Sequence, residues 1–270
     1  MLVSKERKEL EKMCQLKSCL VLKDRVFCPD YNSHQSMLEE LGIKDDYLHA
    51  DKTFVRVEFI PPAGMKSLME PLDKWTLNID QDIIPEWWDE RFDRPRVEEA
   101  IETWRKEHVF VEGKHIVESE EVYALGNAKV KAYNSAKVKA FESAKVIACD
   151  SATVEAYDSA TVKAYDSAKV KAYDSASVKA YNSAKVKAFG RATVTTYDSA
   201  TVEAFGSAVV ETWGSATVTA YDSAKATAYG NATVTAYDNV MVTAYDNVMV
   251  IYPKERKIIY PAGWTAETHE

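Results

Sequence analysis

Four candidate metal ligands crowd the start of the chain. Cys14, Cys19, Cys28 and His34 lie within 21 residues, and thiolate with imidazole is a donor set suited to zinc. The gaps of four, eight and five residues lack a C-x-x-C knuckle, and a hairpin drawn over Ser18 to Cys28 sets Cys19 against Cys28 as cross-strand neighbours. Buried thiols are therefore the better reading, and no metal is expected. A second cluster, NIDQDIIPEWWDERFD, sets Asp80, Asp82, Glu86, Asp89, Glu90 and Asp93 beside Trp87 and Trp88. Paired carboxylates can hold a divalent ion or serve as acid and base, but no histidine or nucleophile stands at a diagnostic spacing. The plain alternative is a solvated loop, a helix cap at Asp93, and Trp75, Trp87 and Trp88 packing between this region and the second half of the chain. A phosphate-binding glycine loop, a nucleophile elbow and H-E-x-x-H are all missing from the sequence. The expectation is a protein without catalytic activity or cofactor.

Aromatic residues form the third group. Tyr165, Tyr181, Tyr197 and Trp213 recur at intervals of 16 residues. Tyrosine gives large contact area at low entropic cost, so such a row could bind sugars or a protein, or simply pack a corner. Thr217/Thr219 and Thr233/Thr235 suggest the threonine rows of ice-binding solenoids, but Glu203 and Glu211 interrupt them and a solvated sheet face accounts for them better.

The elements that must position these residues come from an eight-residue repeat, A-x-V-x-A-Y-D-S, running from about Val122 to Val250 and lapsing once at Ala226. Eight is awkward for a helix of 3.6 residues per turn but a multiple of the strand period of two. Ala, Val and Ala then share one face, Lys, Thr, Glu and Ser the other, and Y-D-S supplies a bend. Two octads per coil give a flat β-solenoid and three give a triangular prism. The small inward residues favour two, hence 16 residues per coil. About eight coils would make a rod of roughly 40 Å at ~4.8 Å per coil, with like residues vertically aligned. The fold expected is mainly β, a parallel β-solenoid over 116–252 preceded by a small acidic α+β capping domain over 1–115 and succeeded by a C-terminal cap over 253–270. Handedness is left open.

In the first region, residues 4 to 17 read as an amphipathic helix, 18 to 28 as a hairpin turning at Lys23-Asp24, and Ser36-x-x-Glu39 as a capping box for a helix ending at Gly42. Strands are expected over Thr53–Ile60 and Trp75–Ile79, and a helix opening at Asp93 with Val97, Ile101, Trp104 and His108 on one face.

The 270 residues carry a formal net charge of −8. Residues 1–120 hold 18 basic and 26 acidic side chains, whereas 121–252 hold 13 of each. An acidic front disfavours binding to a phosphate backbone. Between residues 129 and 187 there are 11 lysines and six acids, but the interleaved acids make a soluble, non-aggregating sheet surface the better reading than a nucleic-acid track. Four cysteines are too few for a disulfide scaffold, no apolar run approaches ~18 residues, and the start lacks a secretory h-region, which together predict a reduced cytosolic setting.

The octads, joined to WTLNIDQDIIPEWWDE and VEEAIETWRKEHVFV, resemble uncharacterised octapeptide-repeat proteins of bacteriophages and prophages of gut bacteria. The resemblance covers most of the chain and implies a mobile-element origin, without catalytic residues to carry over. The function expected is a phage-type interaction protein that binds a bacterial host protein, such as a defence enzyme, in the host cytoplasm. The acidic domain would compete for a basic surface as nucleic-acid mimics do. Self-association is compatible with this reading. The alternatives are a virion element that recognises glycans through the aromatic edges and, last, a carboxylate hydrolase. The binding residues singled out are Tyr165, Tyr181, Tyr197, Trp213, Asp82, Glu86, Trp87 and Trp88.

Overall fold

A computed structural model describes residues 17–46, 52–63 and 67–259. The chain divides into two compact units, Met1–Val109 and Phe110–Glu270. The expected helix over 4–17, Cys14, and the tail beyond residue 259 lie outside the described residues.

In the first unit, strands β1 (Lys17–Leu22), β2 (Val26–Phe27), β3 (Phe54–Ile60) and β4 (Thr76–Ile79) form an antiparallel sheet of order β2-β1-β3-β4. The β1–β2 turn falls at Lys23-Asp24, closed by Leu22 N–H donating to Arg25 O at 2.8 Å, and the register Leu20↔Phe27, Val21↔Val26 continues to set Cys19 against Cys28. Central strands bury apolar side chains from both faces, which is why β1 is buried along its whole length. Helix α1 (His34–Glu40) seals Met37 and Leu38 onto Leu20 and Phe54. Its cap is Ser33, whose Oγ accepts from Ser36 N–H at 3.2 Å, so the expected capping box at Ser36 lies one turn too late. Gly42, at φ +66, ends the helix as anticipated. Helix α2 (Glu90–His108) likewise opens before Asp93, because Asp89 accepts from Arg91 N–H at 3.0 Å while Asp89 N–H donates back to the Asp93 carboxylate at 3.0 Å. The reciprocal bonding moves the cap four residues upstream. Val97, Ile101, Trp104 and His108 form its buried face, and Trp75, also buried, packs against Phe59.

The second unit is a parallel β-solenoid of about nine turns with 16 residues per turn. Among the described residues its strands make two sheets. One has nine strands, from β6 (Lys114–Val117) to β22 (Met241–Ala244), and the other has eleven, ending in β23 (Met249–Tyr252) and β24 (Lys257–Ile259). Successive octads alternate between sheets, so Val154 stands directly under Val170 and Val146 under Val162. The inward Ala-Val-Ala triplets are almost wholly dehydrated, and a continuous apolar seam runs from Val117 to Val250. At about 0.8 kcal/mol per buried CH₂, no single alanine stabilises much. Stability comes from repetition along the stack.

Two strands extend the repeat beyond its sequence limits. Lys114–Val117 has no octad pattern yet pairs in register with β8 (Lys129–Ala132), adding a rung before the first recognisable repeat. At the far end, β24 folds back antiparallel on β23 and pairs Val250 with Ile259.

Candidate functional site

Each bend is a tight turn whose first central residue has a left-handed backbone. In the turn Tyr157-Asp158-Ser159-Ala160, Ala160 N–H donates to Tyr157 O at 3.0 Å and Asp158 has φ +55. The same conformation recurs at Asn134, Glu142, Asp150, Asp166, Asp174 and Asn182, and glycine replaces these at Gly190, Gly206, Gly214 and Gly230. Asp, Asn and Gly tolerate this region best, so the variation among Y-D-S, Y-N-S and F-G-R is variation on one backbone requirement. The carboxylates have a further task. Asp150, Asp158, Asp198, Asp222 and Asp246 accept from the corner N–H one coil earlier, at 2.9–3.3 Å, and bind each turn to the next.

Position in the octad sorts the charge. Between residues 129 and 187 all eleven lysines point outward from strands, whereas Glu142, Asp150, Asp158, Asp166 and Asp174 occupy corners and Glu155 alone lies on a sheet face. Glu155 is held by Lys171 at 3.2 Å and accepts from the Tyr157 hydroxyl at 3.2 Å. The outward strand positions of the nine-stranded sheet carry no carboxylate from Lys114 to Thr195, and Glu211 is the first. On the nine-stranded sheet the acids that interleave with lysines in the sequence thus leave the outward face to the lysines, whereas on the eleven-stranded sheet Lys139, Lys171 and Lys187 pair with Glu121, Glu155 and Glu203. The corner periodicity of Asp was visible in the sequence, but its bond to the preceding coil was not.

The aromatic corners form two ladders. On one edge Phe141, Tyr157, Tyr173, Phe189, Phe205, Tyr221 and Tyr237 stack continuously, with centroids 4.8–5.1 Å apart and rings within 11° of parallel. On the other edge Tyr165 stacks on Tyr181 and Tyr181 on Tyr197, at 4.8 and 4.9 Å. Trp213 begins a second run, lying 4.0 Å from Tyr229, which in turn stacks on Tyr245. Cys149 takes the ladder position below Tyr165, its thiol pushed up by burial and then by Asp166 and Asp150. The tyrosines at 165, 181 and 197 are half-buried, and Trp213 is exposed. In these stacks the ring faces are turned on each other.

In the first unit Asp82 and Glu86 are exposed on the loop before α2. Trp87 is half-buried and donates its indole N–H to Lys52 O at 2.8 Å, and Trp88 N–H closes a turn on Pro85 O at 3.0 Å. Glu86 and Trp87 line an open cavity of about 550 Å³ with Lys23 and Lys52, while Asp82 and Trp88 stand outside its lining. Among the described residues no group of three or more His, Cys, Asp or Glu is placed to hold a metal. His34 instead bonds the Asp80 carboxylate and Val57 O, each at 3.2 Å. The Cys19 and Cys28 thiols are hydrogen-bonded partners. Burial, then Cys28, pushes Cys19 well up, while Cys28 is lowered chiefly by the bond from Cys19 and further by Lys17, against the opposing effect of burial.

No helix among the described residues is long and apolar enough to cross a membrane. Comparison with protein-family models, curated proteins and solved structures gives no match to this chain.

Proposed function

We propose that this is a non-catalytic interaction protein of phage type, whose solenoid and acidic N-terminal unit bind a bacterial host protein and inhibit a defence enzyme. The observation that carries the reading is the sorting of charge. On the nine-stranded sheet lysines stand in fixed columns with no carboxylate on the outward face as far as Thr195, and the acids between them occupy the corners. A rigid array of this kind meets a partner with little ordering cost, because the side-chain columns are already registered by the backbone ladder. The exposed carboxylates Asp82 and Glu86 give the acidic unit a complementary reach toward a basic protein surface. The aromatic ladders also support a protein partner over a glycan. A sugar stacks on ring faces, and within each ladder those faces are already occupied by neighbouring rings.

The test is affinity purification of the tagged full chain from a bacterial host lysate, then reconstitution with the captured protein. A stoichiometric partner is expected, released by Lys163→Glu with Lys179→Glu or by Asp82→Lys with Glu86→Lys, and its enzymatic activity should fall on rebinding. Binding to a glycan array that is lost with Tyr165→Ala plus Tyr181→Ala, without a protein partner, would replace this reading with the glycan one.

A further inference from the structure

The first coils of the solenoid contain a cavity that the interaction reading does not use. It measures about 440 Å³ and is lined by Glu112, Gly113, Lys114, Asn127, Lys129, Ser143 and Lys145. Its basic wall is a single column: Lys114 pairs in register with Lys129, and Lys129 with Lys145, on three consecutive rungs of the nine-stranded sheet. The corners that lead into these strands add Asn127 and Ser143 to the lining, which offer an amide and a hydroxyl.

Three lysines in register, on strands ~4.8 Å apart, set like charges directly opposite one another, which is unfavourable without a counter-charge. Among the described residues none of the three is ion-paired. Glu142, on the corner before Lys145, bonds Gly126 N–H at 2.8 Å and forms no ion pair with these lysines. Glu112 is the one carboxylate in the lining, which leaves an excess of positive charge in a concave, partly enclosed space. Concavity strengthens the field of fixed charges. The cavity falls in the size range of small-molecule sites. The positive groups lie in a row rather than a ring, so the shape suits a chain of anionic groups and not a single tetrahedral ion.

We infer that this cavity binds a linear oligophosphate, with Lys114, Lys129 and Lys145 each meeting a successive phosphoryl group and Asn127 and Ser143 donating to the non-bridging oxygens. Ammonium suits this role as a point charge that tracks a flexible anion. The chain could be inorganic polyphosphate or the tail of a nucleoside triphosphate, and the two share the chemistry that the cavity reads.

Isothermal titration calorimetry of the full chain at low ionic strength, with sodium tripolyphosphate as the probe, tests this. Saturable 1:1 binding is expected, and inorganic monophosphate should bind at least tenfold more weakly. Lys129→Gln, and separately Lys145→Gln, should each weaken tripolyphosphate about tenfold, the loss of roughly one charge-assisted contact. Lys225→Gln, in the same sheet but outside the cavity, should stay within twofold of the parent. All three side chains are exposed, and far-UV circular dichroism confirms the fold of each variant. Equal affinity for ATP and tripolyphosphate identifies the phosphate chain itself as the ligand, while tighter ATP binding identifies the nucleotide. No saturable heat up to millimolar tripolyphosphate, an equal loss in Lys225→Gln, or binding of a single-stranded oligonucleotide but not of tripolyphosphate would each overturn the inference.

Discussion

The solenoid interior offers one sharp energetic test. In the column of inward alanines that contains Ala148, Ala164 and Ala180, two consecutive rungs carry threonine instead. Thr196 and Thr212 are in register, fully buried, and joined by Thr196 Oγ1–H donating to Thr212 Oγ1 at 2.8 Å. A lone hydroxyl in this seam would lack a partner, and leaving a buried polar group unsatisfied costs about 1–3 kcal/mol. Valine has nearly the shape of threonine without the hydroxyl. Thr212→Val should therefore destabilise the protein by about 1–3 kcal/mol, because Thr196 loses its acceptor, and Thr196→Val by less, because Thr212 loses a donor. The double variant removes both hydroxyls and should return to within about 0.5 kcal/mol of the parent, or exceed it, since two apolar isosteres leave nothing orphaned. The coupling energy should thus be about 1–3 kcal/mol and of the sign that makes the double variant more stable than Thr212→Val alone. Urea unfolding monitored by circular dichroism measures it, with amide exchange at rungs 193–196 and 209–212 showing where stability is lost, because a repeat array can open locally. Additive single effects would refute the argument and mean that the two hydroxyls contribute independently.

The corners and the thiol pair give two more expected outcomes. Asp222 has φ +59 and its carboxylate accepts from Gly206 N–H at 2.9 Å, so Asp222→Gly should lose only the hydrogen bond, about 1 kcal/mol. Asp222→Ala should add left-handed strain of about 1–2 kcal/mol, and thermal melting should rank parent above Gly above Ala; a variant Ala that melts with Gly would remove the backbone explanation. For the thiols, the lowered Cys28 makes the folded state favour its thiolate, so this contribution to stability is present above the ordinary thiol range and declines as pH falls through the depressed value. Timed alkylation with peptide mapping should modify Cys28 before Cys19, and Cys19→Ala should shift the Cys28 rate profile to higher pH; equal rates for the two cysteines would contradict the pairing.

The octad by itself determined most of the second unit. A period of eight with apolar residues at alternate positions admits strands and excludes helices. Small inward side chains favour a thin two-sheet coil over a triangular one, and the two-sheet coil observed sets the 16-residue register and aligns Tyr165 with Tyr181 and Val154 with Val170. The hairpin at Lys23-Asp24 and the buried face of α2 were legible for the same reason, since both are patterns within a few consecutive residues. Tertiary structure decided what depends on neighbours remote in the chain. Lys114–Val117 has no repeat pattern and becomes a rung only because β8 lies beside it. The corner aspartates read as solvated charges until the amides one coil earlier claim them, a partnership set by the stacking of coils. The caps at Ser33 and Asp89 were likewise chosen by side chains that meet backbone N–H groups in space. Periodicity fixes which face a residue takes, but the partner of a polar group is set by three-dimensional proximity, and in this protein those partners decide where the charge is presented.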